Sequence, residues 1–250
     1  MEQPFTFLDR VNNWLSRRVP AKPVLTRLPR PVASLTFDDF PRSAWTHGAP
    51  IVERFGGRAT YFTSGRFCGI REEGIDYYDA DDLRAVHAAG HEVGAHTFFH
   101  RHVPEVGSRD LVEDTHRNAE FIRGIVGDVE VSSFAFPYGN VSPRTKLLYS
   151  RLYPCCRGIR PGINTGLVDL AQLWAVSLEV RMWSAELVER RVQEAIERSG
   201  WIVFFTHDVS ETPTLYGSTP AILEHALRTV GEAGIEVLPV RDALRVATGS

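Results

Sequence analysis

Val32-Ala33-Ser34-Leu35-Thr36-Phe37-Asp38-Asp39 is the stretch from which the fold is read. A short, apolar, β-rich run ends abruptly in two carboxylates. Similar runs stand at Ala59–Thr63, His91–His96, Val131–Phe136, Cys155–Ile159, Trp174–Val180, Trp201–Thr206 and Ile235–Val240. Segments of helical period lie between most of them, and several carry start and stop signals. Asp79, Ser108, Ser142, Ser184 and Thr219 stand where an N-cap oxygen would satisfy an orphan amide, with Pro143 and Pro220 at first helical positions. Gly90, Gly200 and Gly234 suit left-handed exits. Strands alternating with helices pair in parallel through crossovers. The expected fold is α/β, a single irregular (β/α)7-8 barrel of parallel strands spanning 1–250. A doubly wound open sheet is the alternative. Either one gathers reactive groups at the C-terminal ends of the strands.

The composition agrees with one globular unit. The chain has 250 residues, 43% of them hydrophobic, with a net charge of −3. At this length about 70–75% of the unfolded surface can be buried, so no disulfide or metal staple is needed. The balance excludes wholesale disorder, and the near-neutral charge without a long Lys/Arg block argues against nucleic acid as the main partner. Cys68, Cys155 and Cys156 are odd in number and form no C-x-x-C pair, so they read as small buried hydrophobes. No run approaches the roughly 20 apolar residues of a membrane span, and Met1–Pro20 has no apolar signal region, so a cytoplasmic location is expected. Residues 1–28 read as an extension packed on the barrel. Within it Phe7, Val11 and Leu15 make Phe5–Leu15 mildly amphipathic, suited to the protein's own body or to a membrane surface.

The chemistry collects at the strand ends. Asp38 and Asp39 close the first strand, and burying both requires a cation or hydrogen bonds; a solvated turn or a helix cap would explain them otherwise. The third strand delivers His96, with His100 and His102 close behind. Surface or internally satisfied histidines would explain them otherwise; paired with a carboxylate from another strand, two imidazoles make an open, catalytic type of metal site. His207 ends the seventh strand, as a general acid, a further ligand, or a capping residue partnered by Asp208. Phe136-Pro137-Tyr138-Gly139 ends the fourth, with Tyr138 offering an amphipathic wall and Gly139 a close backbone approach. His47 lies nearer the expected rim than His87, His116 and His225, which fall on helices. Tyr61, Phe62, Tyr77 and Tyr78 suit a sugar-stacking groove or, more simply, the core.

Together these strand ends resemble the NodB-type polysaccharide deacetylases, carbohydrate esterase family 4. T-F-D-D stands as Thr36–Asp39, H-[ST]-x-x-H as His96–His100, R-x-P-Y-G as Ala135–Gly139, and the closing strand and histidine as Phe205–His207. The likeness runs from about residue 30 to 240. It implies a mononuclear divalent metal, usually Zn2+, with Co2+, Mn2+ or Ni2+ as alternatives, held by Asp39, His96 and His100. It implies Asp38 as general base, His207 as general acid, and the Tyr138 backbone N–H at the oxyanion. The implied reaction is hydrolysis of an acyl group, typically N-acetyl, on an amino sugar.

Three departures stand out. Ala135 replaces the family's arginine, Phe40 replaces the glycine after the acidic pair, and the D-x-x-D-W motif is missing around Asn164–Val180. Arg157 or Arg160 could stand in for the arginine, and Glu179 could orient His207. The departures point away from an extracellular polymer and toward an acylated carbohydrate precursor. The competing activity is a cytoplasmic amidohydrolase acting on a small non-sugar amide or ureide, and a third class is a non-catalytic glycan or metal binder.

Overall fold

Eight parallel strands build the main sheet, in the computed structural model that describes residues 6–26 and 28–249. They are β1 (Val32–Asp38), β2 (Thr60–Thr63), β3 (Glu92–Ala95), β4 (Ser133–Ala135), β5 (Cys155–Arg157), β6 (Val176–Ser177), β7 (Trp201–Thr206) and β8 (Glu236–Val237). The order is β6-β7-β1-β2-β3-β4-β5, and β8 pairs with the start of β1 through Val32 and Ala33. The sheet curls into an irregular barrel as the alternation predicts. Between β5 and β6 an isolated bridge, Arg157 to Leu173, takes the place of a regular ladder. β1 is buried along its whole length, and Trp201 of β7 satisfies its buried indole N–H on the Ser34 hydroxyl at 3.0 Å.

Helices α1 (Phe7–Ser16), α2 (Ala49–Arg54), α3 (Ala80–Ala88), α4 (Ser108–Val126), α5 (Pro143–Leu152), α6 (Ala185–Glu197), α7 (Pro220–Glu232) and α8 (Val240–Thr248) complete the chain. Asp79, Ser142, Ser184 and Thr219 each accept a first-turn amide as N-caps. Ser108 does not. Gly107 occupies its cap position, and the Ser108 hydroxyl accepts from Arg144 instead, at 2.9 Å. β6 is shorter than its apolar run, because Asn164 clamps both backbone groups of Trp174, N–H at 2.9 Å and C=O at 3.0 Å. β8 stops before Pro239, which caps α8.

Met1–Phe5 and Arg27, parts of the expected 1–28 extension, lie outside the described residues, as does Ser250. The rest of that extension lays α1 against the α5 region, where Asn13 donates to Asn140 at 3.0 Å and Lys146 donates to the Ser16 carbonyl at 2.7 Å. The three cysteines are free thiols.

Candidate active site

Every singled-out strand end opens into one cavity of about 340 Å³. Its walls include Asp38, Asp39, His96, His100, His102, Tyr138, Glu179 and His207. The backbone is strained to present them. Asp39, Phe40, Thr97, His100 and Tyr138 all have φ between 50° and 62°, the left-handed region that side chains with a Cβ disfavour. These turns are held by buried groups. Asp114 of α4 accepts the amides of Phe98 and Phe99, at 2.6 and 3.3 Å, fixing the turn between the two histidines. Phe40 is locked between the Tyr61 and Tyr78 rings, each 4.7 Å away. Gly139, at φ 65°, lies where an added Cβ would meet Ile159 at 2.3 Å, so the close approach read from the sequence is real.

The adjacent aspartates face different partners. Asp39 Oδ1 sits 3.0 Å from His100 Nε2 and 3.3 Å from His96 Nε2, and the three donor atoms lie within 4.8 Å of one another. Despite that closeness Oδ1 accepts no hydrogen bond of acceptable geometry. His96 Nδ1 bonds the Ala135 carbonyl at 2.8 Å, which assigns the proton to Nδ1 and leaves the Nε2 lone pair facing Asp39. An orphaned buried carboxylate oxygen facing imidazole lone pairs is a donor set that fits a divalent cation. Burial raises the Asp39 carboxyl; with His100 and His96 protonated, their charge and N–H groups would outweigh burial and hold it well below the usual range.

Asp38 turns to Arg157 of β5, whose guanidinium reaches both carboxylate oxygens. Ala135 and Arg157 are register partners across β4 and β5, so the cation stands one strand over from where the family motif carries it. Arg160 is elsewhere, over the Trp174 ring at 4.3 Å. His207 Nδ1 is 3.1 Å from the Tyr216 carbonyl and 3.7 Å from Glu179 Oε1, so the carbonyl sets the ring's orientation and Glu179 adds charge. Burial lowers the His207 pKa, but Asp38, Asp39 and Glu179 together raise it above 6.5. Asp208 is no partner of His207. It accepts from Thr214, its amide at 2.9 Å and its hydroxyl at 2.6 Å.

Tyr138 stacks on His102 at 3.9 Å and packs against His100 at 4.4 Å. Tyr61, Phe62 and Tyr78 are fully buried, which makes them core. Tyr77 alone of that group reaches a second cavity of about 250 Å³, which shares Asp39, His100, Tyr138, His207 and Tyr216 with the first. His47 is exposed and bonds the Val209 carbonyl at 2.9 Å, outside both cavities. Sequence reading missed Asp114 and Tyr216. Asp114 left a signal, an acid beside Leu111 and Thr115 on the buried face of α4. Tyr216 acts through its backbone and left none.

An α/β barrel with an acid-and-histidine centre at its strand ends defines a class, and comparisons narrow it. The family model described as polysaccharide deacetylase matches residues 26–153. The chain belongs to the polysaccharide deacetylase family. A chitin deacetylase from Colletotrichum lindemuthianum is 30% identical over 112 residues, spanning 44% of this chain and 44% of that protein. Solved structures with the same fold include the family 4 esterase domain of a multidomain xylanase from the hindgut metagenome of Trinervitermes trinervoides. It is 18% identical, with TM-score 0.58, covering 88% of this chain and 92% of that one. A family 4 carbohydrate esterase from Streptomyces lividans, in complex with acetate, is 19% identical, with TM-score 0.58 and coverage of 84% and 93%. A family 4 pseudoenzyme from Bacillus anthracis is 15% identical, with TM-score 0.62 and coverage of 90% and 69%. The fold therefore does not settle activity, and the side chains must carry that argument.

Proposed function

We propose that the protein hydrolyses an acyl group, N-acetyl by preference, from an amino sugar or carbohydrate precursor, with a divalent cation, Zn2+ by preference, held by Asp39, His96 and His100. One observation carries the reading: three ligand atoms converge within 4.8 Å in the same cavity that Asp38 and His207 line. When bound there, such a cation supplies Lewis acidity that brings the pKa of water from 15.7 down to about 7.

The chain's own residues then divide the work. Asp38 accepts a proton from the attacking water as its oxygen joins the acyl carbon. Arg157 compensates the buried Asp38 charge and fixes its direction. The Tyr138 backbone N–H, turned by its left-handed φ at the cavity wall, donates to the oxyanion, a contribution of about 3–4 kcal/mol for such a donor. His207 is held at Nδ1 by the Tyr216 carbonyl, so Nε2 carries the mobile proton and delivers it to the nitrogen as the C–N bond breaks. A carboxylic acid and a free amine leave.

The two cavities favour a carbohydrate over a small amide. They meet at Asp39, His100, Tyr138, His207 and Tyr216, so room extends to both sides of the reacting centre. Tyr77 and Ile75 on one arm and Phe205 and Ile159 on the other give apolar walls for a longer substrate.

The test begins with elemental analysis of purified protein. It continues with acetate release from N-acetylated oligosaccharides before chelation, after it, and after readdition of Zn2+, Co2+ or Mn2+. Near one divalent ion per chain, with activity lost and regained, supports the reading. Activity indifferent to chelation rejects the metal role, and turnover of ureides with none on acetylated sugars selects the small-amide alternative.

A further inference from the structure

Helix α1 is mounted with its polar side inward. Asp9, Asn13 and Ser16 are its buried residues. Phe7, Leu8, Trp14 and Leu15 face outward at 83%, 66%, 51% and 38% exposure, and Val19 follows at 48%. The orientation is fixed rather than adjustable. Asn13 donates to Asn140 at 3.0 Å, its carbonyl oxygen accepts from the Val141 amide at 3.0 Å, and Lys146 caps the Ser16 carbonyl at 2.7 Å. Rotating the helix to bury its apolar stripe would break all three bonds and leave buried polar groups without partners.

The end of this helix is cationic. Arg17, Arg18 and Arg160 line one cavity with Trp14. Arg18 lies over the Trp14 ring at 3.7 Å and Arg160 over the Trp174 ring at 4.3 Å. Among the described residues none of the three arginines forms an ion pair with a carboxylate. Burial and the neighbouring Arg160 both push the Arg17 pKa down, which marks two guanidiniums close together. The apolar surface continues beyond them. Leu25 and Leu167 are register partners at 58% and 75% exposure, and Leu167 shares a cavity with Arg17 and Pro20.

We propose that α1, with Arg17, Arg18 and Arg160, docks this protein on an anionic lipid bilayer. Phe, Leu and Trp side chains would enter the acyl boundary while the arginines neutralise lipid phosphates, the pairing by which amphipathic helices bind interfaces. A twofold contact between copies through this face is disfavoured, because it would bring the three guanidiniums of each copy toward their equivalents. Docking would also set the reaction cavity beside the bilayer. Asn140, bonded to Asn13, is 3.1 Å from His102 Nδ1, and His102 lines that cavity.

The test is co-sedimentation of the full chain with phosphatidylcholine vesicles, with and without about 30 mol% phosphatidylglycerol. The expected result is binding to the anionic vesicles that weakens in high salt. It should fall at least about tenfold in Arg17→Glu/Arg18→Glu and in Phe7→Ser/Trp14→Ser, at unchanged melting temperature. No binding to anionic vesicles, or equal binding by both variants, overturns the proposal. So does a wild-type dimer in sedimentation velocity that Phe7→Ser/Trp14→Ser dissociates. No arm of the test reads catalysis, so it stands apart from the reaction proposed above.

Discussion

Arg157 on β5 grips both oxygens of Asp38 on β1, and the two residues are only 1% and 4% exposed. The guanidinium replaces one that the family motif would carry at Ala135, its register partner on β4. Removing one partner of such a buried pair strands the other charge, at about 3–5 kcal/mol. Arg157→Ala should therefore lower stability by about that amount, read by urea denaturation. It should also cost about 100-fold or more in kcat, the scale of a mispositioned general base. Because residues 135 and 157 are neighbours across the strand pair, Ala135→Arg/Arg157→Ala should recover part of the rate. A single Arg157→Ala variant with unchanged turnover would remove Arg157 as the replacement for the family's arginine.

His207 gives a pH prediction with a defined sign. Burial opposes its protonation, but Asp38, Asp39 and Glu179 raise its pKa above 6.5. In its proposed role as general acid it stays competent to higher pH than a free imidazole, and kcat should fall only as pH rises through the raised value. The stabilising contribution has the same sign: fully present below 6.5 and lost on rising through the folded pKa. Glu179→Gln removes one of the raising charges without disturbing the Tyr216 carbonyl bond. Its falling limb in kcat against pH should move to lower pH. An unmoved limb would show that Glu179 does not act on His207.

The centre was legible because each strand delivers its reactive residue at its own end, and the residue types announce the chemistry. Asp39, His96 and His100 need only strand order to meet. The replacement for the missing arginine was narrowed to two residues but not decided, since choosing Arg157 over Arg160 requires knowing which one is level with Ala135. α1 shows a different limit. Periodicity marks an apolar stripe in Phe7, Val11 and Leu15 but not the side on which neighbours wait, and long-range bonds from Asn13 settled it. The short β6 depends on Asn164, a side-chain clamp that β-rich composition does not report.

Phe40 holds a left-handed backbone where the family motif has glycine, so strain and packing oppose each other. The left-handed conformation costs a residue with a Cβ about 1–2 kcal/mol. Emptying the space of a buried Phe costs about 3–5 kcal/mol. Packing wins, because the ring is fully buried between Tyr61 and Tyr78. Phe40→Gly should therefore destabilise by a net of roughly 1–4 kcal/mol in urea denaturation despite relieving the backbone. A stabilised variant would mean that strain at the Asp39–Phe40 turn exceeds what its packing supports.

Glu92 is a buried acid on β3 that the proposed reaction does not use, at 2% exposure. It accepts from the Ser133 hydroxyl at 2.6 Å, the Thr60 hydroxyl at 2.8 Å and the Arg241 amide at 2.8 Å, tying β2, β4 and α8 to β3. Burial outweighs these bonds and raises its pKa above 4.5. The fold thus favours the protonated form. The resulting stability is present below 4.5 and is lost as pH rises through the folded value. Glu92→Gln keeps an oxygen for the Arg241 amide and lets the Ser133 hydroxyl reverse its role, so it should match or exceed wild-type stability at neutral pH and flatten that pH dependence. Glu92→Leu leaves the three donors without an acceptor, at about 1–3 kcal/mol for each that finds no substitute. Denaturant midpoints measured between pH 4 and 8 separate the two. A Gln variant as unstable as the Leu variant would show that the carboxylate charge itself, rather than its accepting oxygens, holds this junction.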